Sequence, residues 1–402
     1  MKIKATQILS MLVFLSLAVI FISCGGKKSN EEKALKKVQK IYNKGGLVAF
    51  TKYVRKHIYF AVTDSEENEA TPLLLVLQHG DTEGAKLFLE KGASALETDS
   101  NGSDCIDYAL KSGDASVIDY ALAIPSPSYW NMADNDGNFP FVKVIAQCVD
   151  YNIVKKAIDM TDDINHADKN GKTPLMYAAQ CNVDVRTIKY LLDKGAGINA
   201  KNSNEWTALM YAARYNPNPA VMEDLLLRGA STEPNSIGLT LTMLASCNQN
   251  PGILLTLLKY KNEINAQTDT GKTALMYVCE NKRDSAVIKL LIDSGADVNV
   301  KDKDGKTALM YALEHYEKPE SVYVLLAAGA KTFDSDNSKK TVREYLSTNT
   351  VLFASDVVNA FSVTKSASNA KSDSEEQDAD SKTSENIETE TTQNEQEGDK
   401  ND

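Results

Sequence analysis

Three segments place glycine, lysine and threonine in the order that ends a phosphate-binding loop: Gly171-Lys172-Thr173, Gly271-Lys272-Thr273 and Gly305-Lys306-Thr307. Such a loop cradles phosphate on backbone N–H groups and needs another glycine five positions before its last one. Those positions hold His166, Ala266 and Val300. The segments therefore read as turns followed by helix caps. The histidines, His57, His79, His166 and His315, are scattered, and none has a second ligand at metal spacing. No G-x-S-x-G, H-E-x-x-H or C-x-x-C run occurs. Besides Cys24 there are Cys105, Cys148, Cys181, Cys247 and Cys279. Most sit where small apolar residues pack, so they read as buried free thiols, the alternative being a Cys148–Cys181 contact between adjacent repeats. No catalytic residue, metal ligand, cofactor or small-molecule substrate is expected. An enzyme would need clustered ionisable groups in a pocket, and the sequence offers none.

Charge narrows the partners. The chain has 402 residues and a net charge of -11, of which residues 366–402 carry 12 acids and 3 lysines. The remainder is close to neutral, which argues against nucleic acid, whose binders need a basic face. A hydrophobic content of 43% supports a real core. Residues 361–402 are acidic and polar with almost nothing apolar, and read as a disordered tail.

The N-terminus reads as an address. Lys2 and Lys4 precede an apolar run from Ile8 to Ile22, followed by Ser23, Cys24, Gly25 and Gly26. A basic start, a short apolar core and small residues form a signal-peptide layout over residues 1–23. Phe21-Ile22-Ser23-Cys24 resembles a bacterial lipobox, with Phe21 where leucine is usual. The resemblance implies cleavage before Cys24, a diacylglycerol on its sulfur and acylation of its new amine. Each buried lipid CH₂ contributes about 0.8 kcal/mol, and more than one chain makes anchoring stable. Residues 24–35 then form a lipidated tether. Gly25 is not acidic, and by the same resemblance this leans toward the outer membrane of a bacterial cell envelope. A signal cut without acylation would instead give a secreted effector or inhibitor that binds a target protein outside the cell.

The body repeats itself. Thr173-Pro174-Leu175-Met176-Tyr177 returns with Ala for Pro at Thr207, Thr273 and Thr307, with weaker copies at Thr71, Asp104, Phe139, Thr240 and Thr341. The period is near 33–34 over at least 270 residues. Each period also carries a Gly-Ala pair (Gly195-Ala196, Gly229-Ala230, Gly295-Ala296), an Ile/Val-Asn pair (Asn165, Asn199, Asn265, Asn299) and a turn glycine (Gly171, Gly271, Gly305). Threonine caps a helix, and proline fits its first position. Leu175, Ala178 and Ala179 give a small-sided apolar face. Ile188, Leu191 and Leu192 give a second, larger one. Gly195 ends the second helix in the left-handed conformation. Each period is turn, short helix, turn, longer helix, and such pairs must stack to bury both faces.

Period, capping motif and Gly-Ala turn together resemble the ankyrin repeat. The resemblance implies an all-α array of stacked helix-turn-helix units with hairpin tips over residues 36–360, including a capping repeat at each end. About eight or nine units, with helices roughly 8–10 Å apart, would approach about 80–90 Å. Methionine (Met176, Met210, Met243, Met276, Met310) replaces the motif histidine that ties loops together in that family, and reads as an apolar plug. Pro125–Trp130 and Thr161–Asp163 lack the Gly-Ala turn, so a bend or irregular loop is expected there.

Ankyrin arrays bind proteins through the turn tips and the exposed side of the first helices. By resemblance the tip contacts are Asp168 and Asn170, Asn202 and Asn204, Asp302 and Asp304. The groove-facing positions are Gln180, Arg214, Glu280 and Glu314. Tyr177, Tyr211, Tyr277 and Tyr311 form a row that could pack its rings and offer hydroxyls to a partner. The expected function is a membrane-anchored protein-binding scaffold without catalysis.

Overall fold

Thr207, Thr240, Thr273, Thr307 and Thr341 each accept a hydrogen bond on the side-chain oxygen from the backbone N–H three residues on, at 3.3–3.5 Å. This satisfies one of the N–H groups that a helix start leaves without a partner. The computed structural model describes residues 70–361, apart from residues 91, 182, 183, 261, 262, 317, 354, 355 and 360. The signal, Cys24, the tether, the N-terminal cap and the acidic tail lie outside the described residues.

The described residues divide into two compact units between Thr232 and Glu233. The first holds five helix pairs: α1 (Pro72–Gln78) and α2 (Thr82–Glu90), α3 (Cys105–Ser112) and α4 (Ala115–Leu122), α5 (Pro140–Gln147) and α6 (Tyr151–Ile158), α7 (Pro174–Cys181) and α8 (Val185–Asp193), α9 (Ala208–Tyr215) and α10 (Pro219–Leu227). First helices pack on first helices in the order α1, α3, α5, α7, α9, and second helices in the order α4, α6, α8, α10. The second unit holds α11 (Leu241–Ser246) and α12 (Pro251–Leu257), α13 (Ala274–Glu280) and α14 (Ser285–Asp293), α15 (Ala308–His315) and α16 (Glu320–Ala327), and a closing pair, α17 (Val342–Thr348) and α18 (Thr350–Phe353). There α11, α13, α15 and α17 stack in turn, and α14 packs on α16. Among the described residues there is no named strand. The stacked helix-turn-helix architecture is the one the 33–34-residue period implies.

The core follows the pattern. Leu175, Leu209, Leu275 and Leu309 are at most 1% exposed, and the alanines three residues after Leu175 and Leu209 are fully buried. Each buried leucine contributes about 1.5–3 kcal/mol relative to an exposed one. The small alanines let the first helices approach closely.

Three sequence readings need correction. The segment at Pro125–Trp130 is not irregular throughout: Pro127–Asn131 form a 3₁₀ helix that buries Tyr129 and Trp130, ring edge to ring face at 5.4 Å. Thr173 does not cap α7, because its hydroxyl oxygen is buried without a hydrogen-bond partner. Met176 and Met276 are more than plugs. Their sulfurs accept the backbone N–H of Thr173 (3.4 Å) and Thr273 (3.5 Å), so a soft acceptor fills a cap position from inside the core.

The Ile/Val-Asn pair acquires a tertiary role. Asn165 donates its amide to the carbonyl of Gly195 (3.1 Å) and accepts from the N–H of Gly197 (2.8 Å). Asn265 does the same with Gly295 (3.0 Å) and Asp297 (2.8 Å), and Asn299 with Gly329 (3.0 Å) and Lys331 (2.9 Å). Each asparagine clamps the Gly-Ala turn one repeat further on. Hairpin tips are joined too, by one backbone bond at each of four steps: Lys169 N to Asp136 O, Ser203 N to Asn170 O, Lys303 N to Thr270 O and Asn337 N to Asp304 O, all 2.8–3.0 Å.

Candidate functional site

The tip of each repeat is held by a single side chain. Asp168 Oδ1 accepts the backbone N–H of Asn170 and of Lys172, both at 2.8 Å, and its Oδ2 accepts the Tyr177 hydroxyl at 2.8 Å. Asp302 repeats this with Asp304 (3.0 Å), Lys306 (2.8 Å) and the Tyr311 hydroxyl (2.7 Å). Asn202 accepts from Asn204 (3.0 Å) and Trp206 (2.8 Å), and its amide donates to the Tyr211 hydroxyl (2.9 Å). Asp99–Tyr108 (3.0 Å) and Asp336–Tyr345 (2.8 Å) are further copies. In these five repeats one side chain closes the hairpin and, through a tyrosine nine residues on, locks it to the first helix.

Asp168, Asn202 and Asp302, expected as contact residues, are therefore spent on the fold, and Asn202 and Asp302 are buried. Two of the four tyrosines, Tyr177 and Tyr311, do not present free hydroxyls. Tyr177 and Tyr311 donate theirs to the tip carboxylates, and Tyr311 is itself buried. Burial first, then the bond to Asp168 or Asp302, pushes these phenols well above the usual tyrosine range. Burial and the Asp336 bond push Tyr345 up to about 12. Asn170, Asn204 and Asp304 remain at exposed tips. The nine-residue Asp/Asn-to-Tyr spacing was present in the sequence, and Asp99, Tyr108, Asp336 and Tyr345 could have been found from it. Replacing Tyr345 by Phe leaves a buried carboxylate oxygen without its donor, which costs about 1–3 kcal/mol. Urea denaturation would read the loss, and an unchanged midpoint would refute the lock.

A second row runs beside the tyrosines. Lys172 lies 3.7 Å from the Tyr177 ring centre and 4.6 Å from that of Tyr211. Lys306 lies between Tyr311 (5.3 Å) and Tyr345 (5.4 Å), and Lys272 between Tyr277 (5.9 Å) and Tyr311 (5.0 Å). An ammonium over a ring face is attracted by the ring quadrupole. The predicted groove residues meet these lysines: Gln180 accepts from Lys172, Glu280 from Lys272 (2.7 Å) and Glu314 from Lys306 (2.8 Å). Arg214 lies 5.1 Å from the Tyr215 ring centre. Gln180, Arg214 and Glu280 are partly exposed and Glu314 is exposed. In sequence a lysine beside a turn glycine looks like an ordinary solvated charge, which hides the lysine row.

Two of the histidines are engaged by the fold. His79 pairs with the Leu75 carbonyl (2.8 Å), and His166 donates to the Gly137 carbonyl (3.1 Å) while stacking on Phe139 at 3.6 Å. Cys105, Cys148, Cys247 and Cys279 are buried, Cys181 is exposed, and all five are free, so the Cys148–Cys181 pairing does not form. Burial pushes the Cys105 thiol up to about 12, which removes the thiolate a nucleophile needs. Among the described residues no group of His, Cys, Asp or Glu is arranged to hold a metal ion, and no helix is long and apolar enough to cross a membrane.

A model of ankyrin repeats matches residues 142–236 and 242–336. No curated protein matches the chain in sequence. Among solved structures, the human ASB11 ankyrin repeat domain is similar at a TM-score of 0.48 and 21% identity, over 56% of this chain and 97% of that one. A chain in the structure of a Bdellovibrio bacteriovorus predatory endopeptidase in complex with an immunity protein is similar at a TM-score of 0.41 and 31% identity, over 49% of this chain and 99% of that one.

Proposed function

The chain carries ankyrin repeats over residues 142–236 and 242–336, and from that premise we propose that it is a membrane-anchored scaffold that binds another protein. The observation that carries the binding role is the division of labour on the first-helix side. Buried Asp–Tyr locks and inter-tip backbone bonds fix the framework, and varied polar side chains project from it: Asn170, Asn204, Asp304, Gln180, Arg214, Glu280 and Glu314. A rigid frame with variable projections lowers the entropic cost of association. The reading assigns the protein no catalytic step.

The anchor rests on sequence alone: Lys2 and Lys4, the apolar run Ile8–Ile22, and Cys24 after Ser23. Acyl chains on Cys24 would hold the array at a membrane of a bacterial envelope, in our reading the outer one. Expressed with its own signal in a lipoprotein-making bacterium, the wild-type chain should fractionate with membranes and carry a lipid mass, and Cys24→Ala should be released. An unmodified, soluble wild type would replace the anchor by secretion and leave the binding role intact. A photo-crosslinking residue at Arg214 tests that role. It should capture a protein in cells, whereas one at Lys289, on the second-helix side, should not.

A further inference from the structure

We infer that the first-helix side of the first unit, at Lys172, Trp206, Tyr211, Arg214 and Tyr215, docks an acidic polypeptide segment that carries an aromatic side chain and belongs to a partner protein. The inference rests on the scaffold reading and narrows it to a partner chemistry.

Charge points there first. Lys272 and Lys306 are each neutralised by a glutamate eight residues on, at 2.7 and 2.8 Å. At the same place Lys172 donates to the neutral amide of Gln180, and the Asp168 carboxylate acts on it only from beyond ion-pair distance. Among the described residues no carboxylate lies within ion-pair distance of Lys172. It is half-buried between two tyrosine rings, and burial holds its pKa below the usual lysine range. A desolvated cation without a carboxylate in ion-pair contact is stabilised by an anion supplied from outside. One repeat on, the position held by Glu280 and Glu314 in the second unit is Arg214. Of the nearby carboxylates, Asp168 is held on the tip by the Tyr177 hydroxyl, out of ion-pair distance of Lys172, and Glu205 lies 3.6 Å from Lys201.

The rings supply the second half. At the position of Lys172, Lys272 and Lys306, the repeat that follows Lys172 carries Trp206. Trp206 lies 5.2 Å from Tyr211 and 6.1 Å from Tyr215, the latter nearly parallel at 30°, and Tyr211 and Tyr215 are 6.2 Å apart. Tyr215 is 47% exposed. Three rings in contact form a surface on which a further ring can stack, and aromatic residues beside cations are typical interface anchors. The chain's own tail matches the charge, with 12 acids in residues 366–402, but it has no aromatic residue to meet the rings. This favours a partner over the tail.

The test uses the full chain and tryptophan fluorescence. Trp206 is partly exposed, and the other tryptophan, Trp130, is 2% exposed and serves as a silent background. The probes are a short peptide of glutamates around a central tyrosine, the same peptide with alanine at the centre, and the lysine counterpart. The tyrosine–glutamate peptide should shift the emission saturably. The alanine version should bind more weakly and the lysine peptide not at all. Lys172→Gln and Tyr215→Ser, with unchanged circular dichroism, should each weaken binding about tenfold. Equal binding of the lysine peptide, or no effect of Lys172→Gln, would overturn the acidic assignment. Binding only after the tail acids are changed to glutamine and asparagine would make the tail the occupant and overturn the partner assignment. If no peptide binds while a crosslinker at Arg214 still captures a protein, the chemistry inferred here falls and the scaffold reading stands.

Discussion

Gly271→Ala destabilises the second unit by about 3–4 kcal/mol, and Gly295→Ala by about 1–2 kcal/mol, although both glycines sit in turns with similar backbone angles. Gly271 has φ +82° and Gly295 φ +94°. Both replacements incur the strain of a left-handed L-residue, about 1–2 kcal/mol. The difference lies in the surroundings. A Cβ on Gly271 would meet the backbone of the next hairpin tip, Lys303 N at 2.7 Å and Asp302 Cα at 2.9 Å, whereas a Cβ on Gly295 meets nothing within 4 Å. The Asp302 tip cannot yield freely, because its side chain is locked to Tyr311 and Lys303 N is bonded to Thr270 O. The clash therefore breaks the inter-tip bond and loosens the lock. Chemical denaturation compares the two losses, and hydrogen exchange at Lys303 locates the damage. Equal losses, or protection at Lys303 unchanged in Gly271→Ala, would show that tip contact does not hold the repeats together.

Lys143→Met destabilises the first unit by about 3–5 kcal/mol at neutral pH, and the deficit shrinks on acidification. Lys143 occupies the row position of the tyrosines, but its ammonium lies 2.9 Å from Asp107, 3.3 Å from Asp104 and 3.9 Å from the tip residue Asp134. Asp104 also caps α3 and accepts the Tyr129 hydroxyl at 2.6 Å. Burial alone would push Lys143 toward its neutral form, but the Asp104, Asp107 and Asp134 carboxylates outweigh that and hold it charged. Burial and the neighbouring Asp104 keep Asp107 above the usual carboxylate range even with the lysine present. Methionine matches the length of the stem but leaves buried carboxylates without a counter-ion. The sign follows from linkage. A carboxyl whose folded pKa is raised stabilises the fold below its unfolded value, and that contribution is lost as pH rises through the folded value. Removing Lys143 raises Asp107 further, so the variant is penalised most at neutral pH and recovers as pH falls through the raised folded value, completely by the unfolded value of about 4. Denaturation midpoints of both proteins between neutral pH and pH 4 give the answer. A pH-independent deficit would mean that lost packing, not stranded charge, dominates.

What the sequence alone determined is periodic and local. Thr207 caps because a threonine before an apolar run has one preferred use. Leu175 and Leu209 are core because a repeating unit with two apolar faces has nowhere else to put them. Gly171 and Gly271 turn because no other residue takes positive φ without strain. These are properties of a few consecutive residues, multiplied by the period. Tertiary structure decided which polar residues were available. Asp168, Asn202 and Asp302 look like exposed turn residues in one dimension, and only folding brings a tyrosine hydroxyl onto each of them. Asn265 looks like a loop asparagine until the next Gly-Ala turn arrives to be clamped. Lys143 and Lys172 are unremarkable lysines in sequence, and one becomes a buried bridge while the other is left between rings without a contact ion pair. A hydrogen bond or an ion pair depends on distances between residues one repeat apart. Those distances are set by how closely the helices stack, which the buried leucines and alanines fix and no local pattern records.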